Sequence, residues 1–431
     1  EKIKAKLPHY LINFLCNEEI KINKGYSILA WFFECFKVLI KTYFDFYKIM
    51  KVKKKKFSNN KNFTIYLDNL NNENFNSTTQ KVSDYNIIKF FDKYFENKKK
   101  KLKTVFQSFF KDLSYENYDI KKIDIFELNN LFQLKKLTII FHFKFILSFI
   151  LIFFGKWQYS LSLYEILKRD IILENNYIDY IDYFIFDNSK YLYRPIWTYS
   201  SVDDEKKFII YYYSSNLKFL NEIYNESICY NGYSKMSWIN ILVWSNQQKK
   251  FLQKFIDLKE GLNIEITGPI PSNCKKISLD QYPKYLCVFD VQPYNSWIRT
   301  GLGLTEDYYS FKNSRLFFKD LIEVCRKLNI KIIFKRKRLT KNIDNRYLSL
   351  IRGLVENKDI YELDPGISVF EIINNSIGSI TMPFTSVGYI VETYKKKNLF
   401  YDPSNLINND QVISSKKELE NNLIKMLLIL K

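Results

Sequence analysis

Between residues 285 and 401, short strand-like runs alternate with helix-patterned segments, and this constrains the fold most. Tyr285–Val291, Ile330–Phe334, Asp359–Leu363, Ser379–Met382 and Asn398–Tyr401 are brief runs rich in β-branched and aromatic residues. Between them, Ser314–Leu328, Asn345–Val355, a stretch from Ser368 and another from Thr385 carry apolar residues at helical spacing. Such alternation predicts right-handed β-α-β crossovers and a parallel sheet. Lys416–Leu430 is amphipathic and is expected to pack back across it.

Upstream the pattern is more helical. Residues 1–60 read as helix, Asn62–Leu67 as a strand, and Asn69–Thr79 as a polar loop. Tyr85–Phe109, Ile125–Lys136 and Leu161–Leu173 read as helices, and Tyr177–Phe186 as strand-like. Strands follow at Lys207–Tyr213, Trp238–Trp244 and Leu262–Thr267, with a helix at Gln247–Ile256. Gly268-Pro269 breaks the chain. The predicted class is α/β with two Rossmann-like lobes: a helix-rich N-terminal lobe (1–267, the acceptor side), a linker (268–284) and a parallel-sheet C-terminal lobe (285–431).

The stretch most suggestive of a site is Met382-Pro383-Phe384-Thr385-Ser386. A strand ends there, and Val387, Ile390, Val391 and Tyr394 then mark one face of a helix with Thr385 or Ser386 at its N-cap. A helix N-terminus at the carboxyl end of a parallel strand is a ready anion site. Lys335-Arg336-Lys337-Arg338 directly follows another strand and reads as a grip for a diphosphate or as a solvated basic turn. Asp290 ends the first C-terminal strand, and Arg299 lies in the loop Gln292–Thr305, which carries Gly301 and Gly303. Tyr401-Asp402-Pro403 ends the last strand, where Asp402 reads equally as a substrate ligand or a turn former.

These residues also carry a resemblance. Pro383–Ser386 resembles the motif that names a family of bacterial surface-polysaccharide biosynthesis proteins. Two further patches are similar to segments of that family: Tyr193–Tyr199 with Tyr211–Asn216, and Phe289–Pro293. A more distant similarity links the strand, serine loop, helix and Phe-Tyr-x-Asp strand to the nucleotide half of two-domain (GT-B) glycosyltransferases. The resemblance implies a glycosyltransferase of surface or capsular polysaccharide assembly, or a non-catalytic nucleotide- or glycan-binding component of the same machinery. It implies a nucleotide-sugar donor as substrate, no further cofactor, and a glycan or lipid-linked acceptor. It gives Glu392 a ribose hydroxyl and Pro383, Thr385 and Ser386 the donor phosphate. Arg194 and Trp197 would line an acceptor groove, or else be packing residues. The base would come from the N-terminal lobe, where Asp68, Asp179, Asp182, Asp203, Asp204 and Glu205 are eligible, with Asp290 a further catalytic candidate.

Composition supports an anionic partner. The 431 residues carry a net charge of +20, much of it in Lys51–Lys56 and Lys98–Lys103. Such runs are solvated surface or a patch for anionic lipid. Six cysteines without a C-x-x-C pair, and two histidines, point to a reducing cytoplasm and to no metal site. There is no Asp-x-Asp motif, so a metal-independent reaction is expected, and no dinucleotide, Walker or nucleic-acid-binding motif appears. Leu137–Phe154 is apolar but interrupted by His142 and Lys144. Length and charge favour a buried core helix over an interfacial helix or a span. The location expected is the cytoplasm, at the inner face of the plasma membrane.

Overall fold

The computed structural model describes residues 23–50, 63–68, 70, 87–107, 113–115, 117–122, 131–175, 181–199, 207–215, 233, 235–256, 261–270, 285–293, 295, 308–336, 343–364, 367, 369–407 and 410–428. The chain divides into two compact units. The first comprises residues 1–69, 102–186 and 193–209; the second comprises 70–101, 187–192 and 210–431. From residue 271 onward, the expected linker lies outside the described residues.

The first unit contains α1 (Lys24–Met50), β1 (Phe63–Leu67), β2 (Leu102–Gln107), β3 (Leu113–Tyr115), β4 (Tyr118–Lys122), α3 (Leu131–Phe153) and α4 (Gln158–Asn175). β5 (Tyr183–Asp187) and β6 (Phe208–Tyr211) carry the chain into the second unit, which also holds α2 (Ile87–Glu96). Strands β1, β2, β4 and β5 run parallel, and β3 pairs antiparallel with β4. Asp182 fixes the start of β1, accepting from the Thr64 N–H at 2.8 Å and its hydroxyl at 3.2 Å. Within the first unit the strand order is β3-β4-β2-β1-β5, and in the second β7 (Asn240–Val243) pairs parallel with β8 (Asn263–Ile266).

Two expectations fail in this region. Tyr85–Phe109 is not one helix: α2 stops at Glu96, Lys99 turns with φ +60°, and Leu102–Gln107 forms a strand. Leu102, Val105 and Phe106 are buried in the sheet, and their β-sheet burial overrides the helical pattern upstream. Nor is Leu137–Phe154 a buried core helix. α3 packs Leu137, Phe141 and Ile152 against Cys35, Leu39 and Phe46 of α1 and Leu163, Leu167 and Ile171 of α4. Its opposite face is exposed, with Ile139 72%, Phe143 68% and Phe153 62% accessible.

The rest of the second unit follows the expected alternation. It contains α5 (Asn246–Phe255), β9 (Tyr285–Phe289), α6 (Phe311–Lys327), β10 (Lys331–Lys335), α7 (Asn345–Glu356), β11 (Tyr361–Leu363), α8 (Val369–Asn375) and β12 (Ser379–Thr381). α9 (Ser386–Thr393), β13 (Asn398–Tyr401), β14 (Val412–Ile413) and α10 (Lys416–Leu428) complete it. Ser245, Ser310 and Asp344 cap α5, α6 and α7, each accepting from a first-turn N–H group. The sheet is parallel throughout, in the order β11-β10-β9-β12-β13-β14. Numbered from β9, this is the Rossmann order 3-2-1-4-5-6.

β9 shows why the sheet needs two helical layers. Leu286 and Val288 enter a core with Phe317, Phe318 and Leu321 of α6, Tyr347 and Ile351 of α7, and Leu419 and Leu423 of α10. Tyr285, Cys287 and Phe289 face the other way, toward Ile372 and Ile373 of α8 and Ile390 and Val391 of α9. Each alternate side chain is thereby buried, as parallel sheets require.

α9 approaches β13 closely at Gly388. A Cβ there would lie 2.4 Å from Cε1 of Phe400 and 2.6 Å from Nδ2 of Asn398. Gly388→Ala should therefore cost about 1–3 kcal/mol by overpacking, which chemical denaturation would measure. Stability equal to wild type would show that the contact can relax.

Candidate functional site

In this strand order the connection reverses direction between β9 and β12, and ligands of open α/β sheets bind outside the carboxyl ends at that switch point. Register places the relevant residues side by side. Phe334 of β10, Val288 of β9 and Ile380 of β12 are level. The ends of β10 and β12 are thus two strand spacings apart, about 10 Å. Asp290 emerges between them, Lys335 and Arg336 on one side, and the Pro383–Ser386 turn on the other. The Lys/Arg pair and the Thr/Ser pair therefore end at the same edge of the sheet, although β9 separates their strands.

Asp290 is 4% exposed, and its Oδ2 accepts from the Tyr347 hydroxyl. Its Oδ1 has no hydrogen-bond partner among the described residues. Burial pushes its carboxyl up to about 7, although the Tyr347 hydroxyl and the Arg336 charge pull the other way. Gln292, 8% exposed, also keeps its Nε2 buried without a partner among the described residues. Unsatisfied buried polar atoms are costly and uncommon in folded chains. Two of them two residues apart, beyond the central strand, mark a place where a polar ligand would be welcome.

The Pro383–Ser386 turn is strained and held from several sides. Phe384 has φ +63°, a conformation that costs an aromatic residue on the order of 1–3 kcal/mol. Its ring is locked among Tyr308 and Ile407, and Tyr309 donates to the Pro383 carbonyl at 3.0 Å. Thr385 occupies the N-cap position, but its hydroxyl makes no capping hydrogen bond and has no partner among the described residues. The expected cap contact is thus absent. Ser386 instead meets Ser215: the hydroxyls lie 3.0 Å apart, and the Ser215 N–H donates to Ser386 Oγ at 3.2 Å. Ser215 is positioned by Gln248, whose Nε2 donates to the Ser214 and Ser215 carbonyls at 3.1 and 2.5 Å. Trp244 Nε1 donates to the Tyr212 carbonyl at 2.7 Å. The Tyr211–Asn216 patch and the Pro383–Ser386 motif, about 170 residues apart in sequence, are thus joined by one hydrogen-bonded link.

The cations are only partly available. Lys335 is 5% exposed at the end of β10, and Arg336 pairs with Glu362 of β11. Lys337, Arg338, Arg299, Gly301 and Gly303 lie outside the described residues, as do Asp179, Asp203, Asp204 and Glu205. Asp402 is saturated. Its oxygens accept from Tyr308 and Ser404 hydroxyls, at 2.6 and 2.5 Å, and from the N–H groups of Ser404, Leu406 and Ile407 at 2.8–2.9 Å. It holds the 402–407 turn, the second of the two roles its position suggested. Tyr401 is buried and donates to Asp320 at 2.7 Å. Glu392 is exposed on α9.

Arg194 and Trp197 are interior to the first unit. Arg194 donates to the Thr198 hydroxyl and carbonyl, both at 2.9 Å, and lies 4.3 Å from the Tyr199 ring centroid. Trp197 packs on Phe184, Phe186 and Phe208. Their geometry is that of packing, the alternative to a groove. Asp182, among the eligible bases, is engaged at the start of β1. Sequence reasoning assigned no role to Tyr347, Glu362, Ser215 or Gln248. Only the Ser214-Ser215 pair carried a signal, as part of the Tyr211–Asn216 patch.

Asp290 makes stability depend on pH. With its carboxyl raised to about 7 in the folded chain, its contribution is complete below about pH 4 and is lost as pH rises through 7. Asp290→Asn should remove this fall, changing the difference in unfolding free energy between variant and wild type by on the order of 2–4 kcal/mol across that range. Parallel denaturation curves at every pH would refute the assignment.

The sequence profile of the family described as polysaccharide biosynthesis PFTS motif protein matches residues 145–423. No curated protein sequence matches the chain. Among solved structures, trehalose-6-phosphate synthase OtsA is similar at 10% identity, covering 85% of this chain and 91% of its own, with a TM-score of 0.42. UDP-GlcNAc 2-epimerase from Methanocaldococcus jannaschii, in complex with UDP-GlcNAc and UDP, is similar at 10% identity, 85% and 92% coverage and a TM-score of 0.41. S. aureus MnaA with UDP gives 9%, 85%, 88% and 0.39. The profile spans the strained turn, its Ser215 anchor and the Rossmann-ordered sheet, and on that match the chain belongs to the polysaccharide biosynthesis PFTS motif protein family.

Proposed function

We propose that the chain is a glycosyltransferase of surface-polysaccharide biosynthesis, binding a nucleotide-activated sugar at the carboxyl ends of β9, β10 and β12. The observation that carries this reading is the Thr385 hydroxyl, buried without a partner among the described residues at the start of α9. A donor phosphate there would accept from that hydroxyl and lie at the positive end of the helix. Lys335 and Arg336 end at the same sheet edge and add charge, Arg336 after exchanging Glu362 for phosphate. Negative charge develops on the leaving diphosphate during transfer, and donors fixed in advance stabilise it without reorganising.

Asp290 would serve the sugar side of the reaction. A carboxyl raised to about 7 can exchange protons near neutral pH, the range in which general acid–base groups work best. In this reading Asp290 Oδ1 takes a hydrogen bond from a sugar or acceptor hydroxyl. Glu392 would meet the nucleoside from the exposed side of α9. The acceptor is a glycan or a lipid-linked glycan presented at the cytoplasmic side of the membrane, and the reaction runs without a metal.

The test is binding of nucleoside diphosphates to the full chain, followed by calorimetry. Thr385→Val keeps the shape of the side chain and removes an unsatisfied hydroxyl, so its melting temperature should equal or exceed that of wild type. Its affinity for the nucleoside diphosphate should fall roughly ten-fold or more, the worth of one hydrogen bond to a charged group. Lys335→Met should weaken the same binding. If no nucleoside mono- or diphosphate shifts the melting temperature at millimolar concentration, the donor-site reading fails. Binding without sugar transfer would leave a glycan-assembly component that is not an enzyme.

A further inference from the structure

The apolar face that α1 and α3 leave exposed is large, continuous and one-sided. On α1 it runs Leu29, Phe33, Ile40, Phe44, Tyr47, at spacings of three, four and seven, which keeps one helical stripe. Charged residues Glu34, Lys37, Lys41, Asp45 and Lys48 form the adjoining stripe. On α3 the exposed residues are Ile139, Phe143, Ile146, Ile150 and Phe153, opposite the face that meets α1 and α4. The two helices lie antiparallel, as their ring contacts show: Phe32–Phe153 and Phe36–Phe149 at one end, Phe46–Phe141 at the other. Their stripes therefore share one surface. Soluble chains rarely expose so much contiguous apolar area unless it is a contact surface.

Charge at the ends of this surface indicates what covers it. The C-terminal end of α1 and the N-terminal end of α3 come together, bringing Lys48, paired at 3.1 Å with Asp45 on its own helix, and Lys135 to one edge, both exposed. In the sequence α1 is followed at once by Lys51-Val52-Lys53-Lys54-Lys55-Lys56. An apolar strip bordered by lysine is the pattern of a helix lying in the headgroup region of an anionic bilayer. The same lysines, in a chain of net charge +20, oppose pairing with a second copy.

Spanning is disfavoured by the other face of α3. Lys144 pairs with Asp170 at 2.6 Å and Lys136 with Glu174 at 2.5 Å, so the helix is tied along its length to the charged α4. A single helix of twenty residues, Leu134–Phe153, has the length and mean hydropathy of a span (2.0), yet crossing would strip it from these partners.

We infer that the exposed face of α1 and α3 is a docking surface for an anionic lipid bilayer, inserting Phe33, Ile40, Phe44, Phe143, Ile146 and Ile150 at the headgroup–acyl boundary while the neighbouring lysines engage lipid charge. This inference does not depend on the transferase reading, since it rests on a different unit of the chain.

Flotation of the full chain with vesicles tests it. Vesicles of phosphatidylcholine and phosphatidylserine should capture the protein more strongly than phosphatidylcholine alone, and part of the capture should survive high salt, because apolar insertion is not screened. Phe143→Glu, Ile146→Glu and Ile150→Glu combined should reduce capture roughly ten-fold or more in both salt conditions. These side chains are solvent-exposed, so the circular dichroism spectrum and melting temperature should be retained. Replacing Lys48 and Lys135 by Gln should reduce only the salt-sensitive part. The inference is overturned if wild type does not float, or if the triple Glu variant floats as well as wild type. It is also overturned if sedimentation shows a dimer that the Glu variant dissolves while vesicles capture neither protein. Capture that begins only after removal of residues 1–22 would likewise overturn it, by showing that the chain covers the face itself.

Discussion

The second unit depends on the position of β9 within its sheet. Bonded to β10 on one side and β12 on the other, it sends alternate side chains into two separate cores, one beneath α6, α7 and α10 and one beneath α8 and α9. Its central place creates the reversal of strand order, and its end delivers Asp290 into the gap that the reversal opens. Tyr347 reaches Asp290 because α7 packs over β9 and β10; the Pro383–Ser386 turn reaches the same edge because β12 is the other neighbour. Shifting β9 by one residue would exchange the two cores and turn Asp290 away from the edge.

The polar groups at that edge fall into two kinds, and the difference has functional meaning. Asp402 is a carboxylate whose hydrogen bonds are supplied by the 402–407 turn and Tyr308, and it stabilises a loop. Asp290, Gln292 and Thr385 each keep a buried atom without a partner among the described residues. Folding around such atoms costs free energy, which a bound polar ligand would restore. Phe384 adds backbone strain at the same place. Strained and unsatisfied groups gathered at one sheet edge are what a preorganised site requires.

The first unit poses the opposite problem, a surplus of apolar surface. α3 is apolar nearly all round, but α1 and α4 cover only the face with Leu137, Phe141 and Ile152. The sequence pattern pointed to a core helix, because hydropathy does not say how many neighbours a helix will have. That number follows from the packing of three helices with nothing further described on the far side.

Much of the second unit was legible in its residues. The strands at Ile330–Phe334, Ser379–Met382 and Asn398–Tyr401, and the amphipathic last helix, were readable because local runs of β-branched residues and helical periodicity both report burial. The strands β2, β3, β4 and β14 were not, since two- to six-residue strands beside lysine-rich segments carry little periodic signal. The Pro383–Ser386 motif and Asp290 stood out in the sequence as candidates by composition and position. The sequence by itself determined which segments alternate, and hence that residues 285–431 would build a parallel sheet. Tertiary structure alone decided that Ser386 bonds Ser215, that Asp290 is buried against Tyr347, and that α3 shows one face to the outside. Each of these depends on contacts between residues far apart in the chain, and local periodicity holds no record of such contacts.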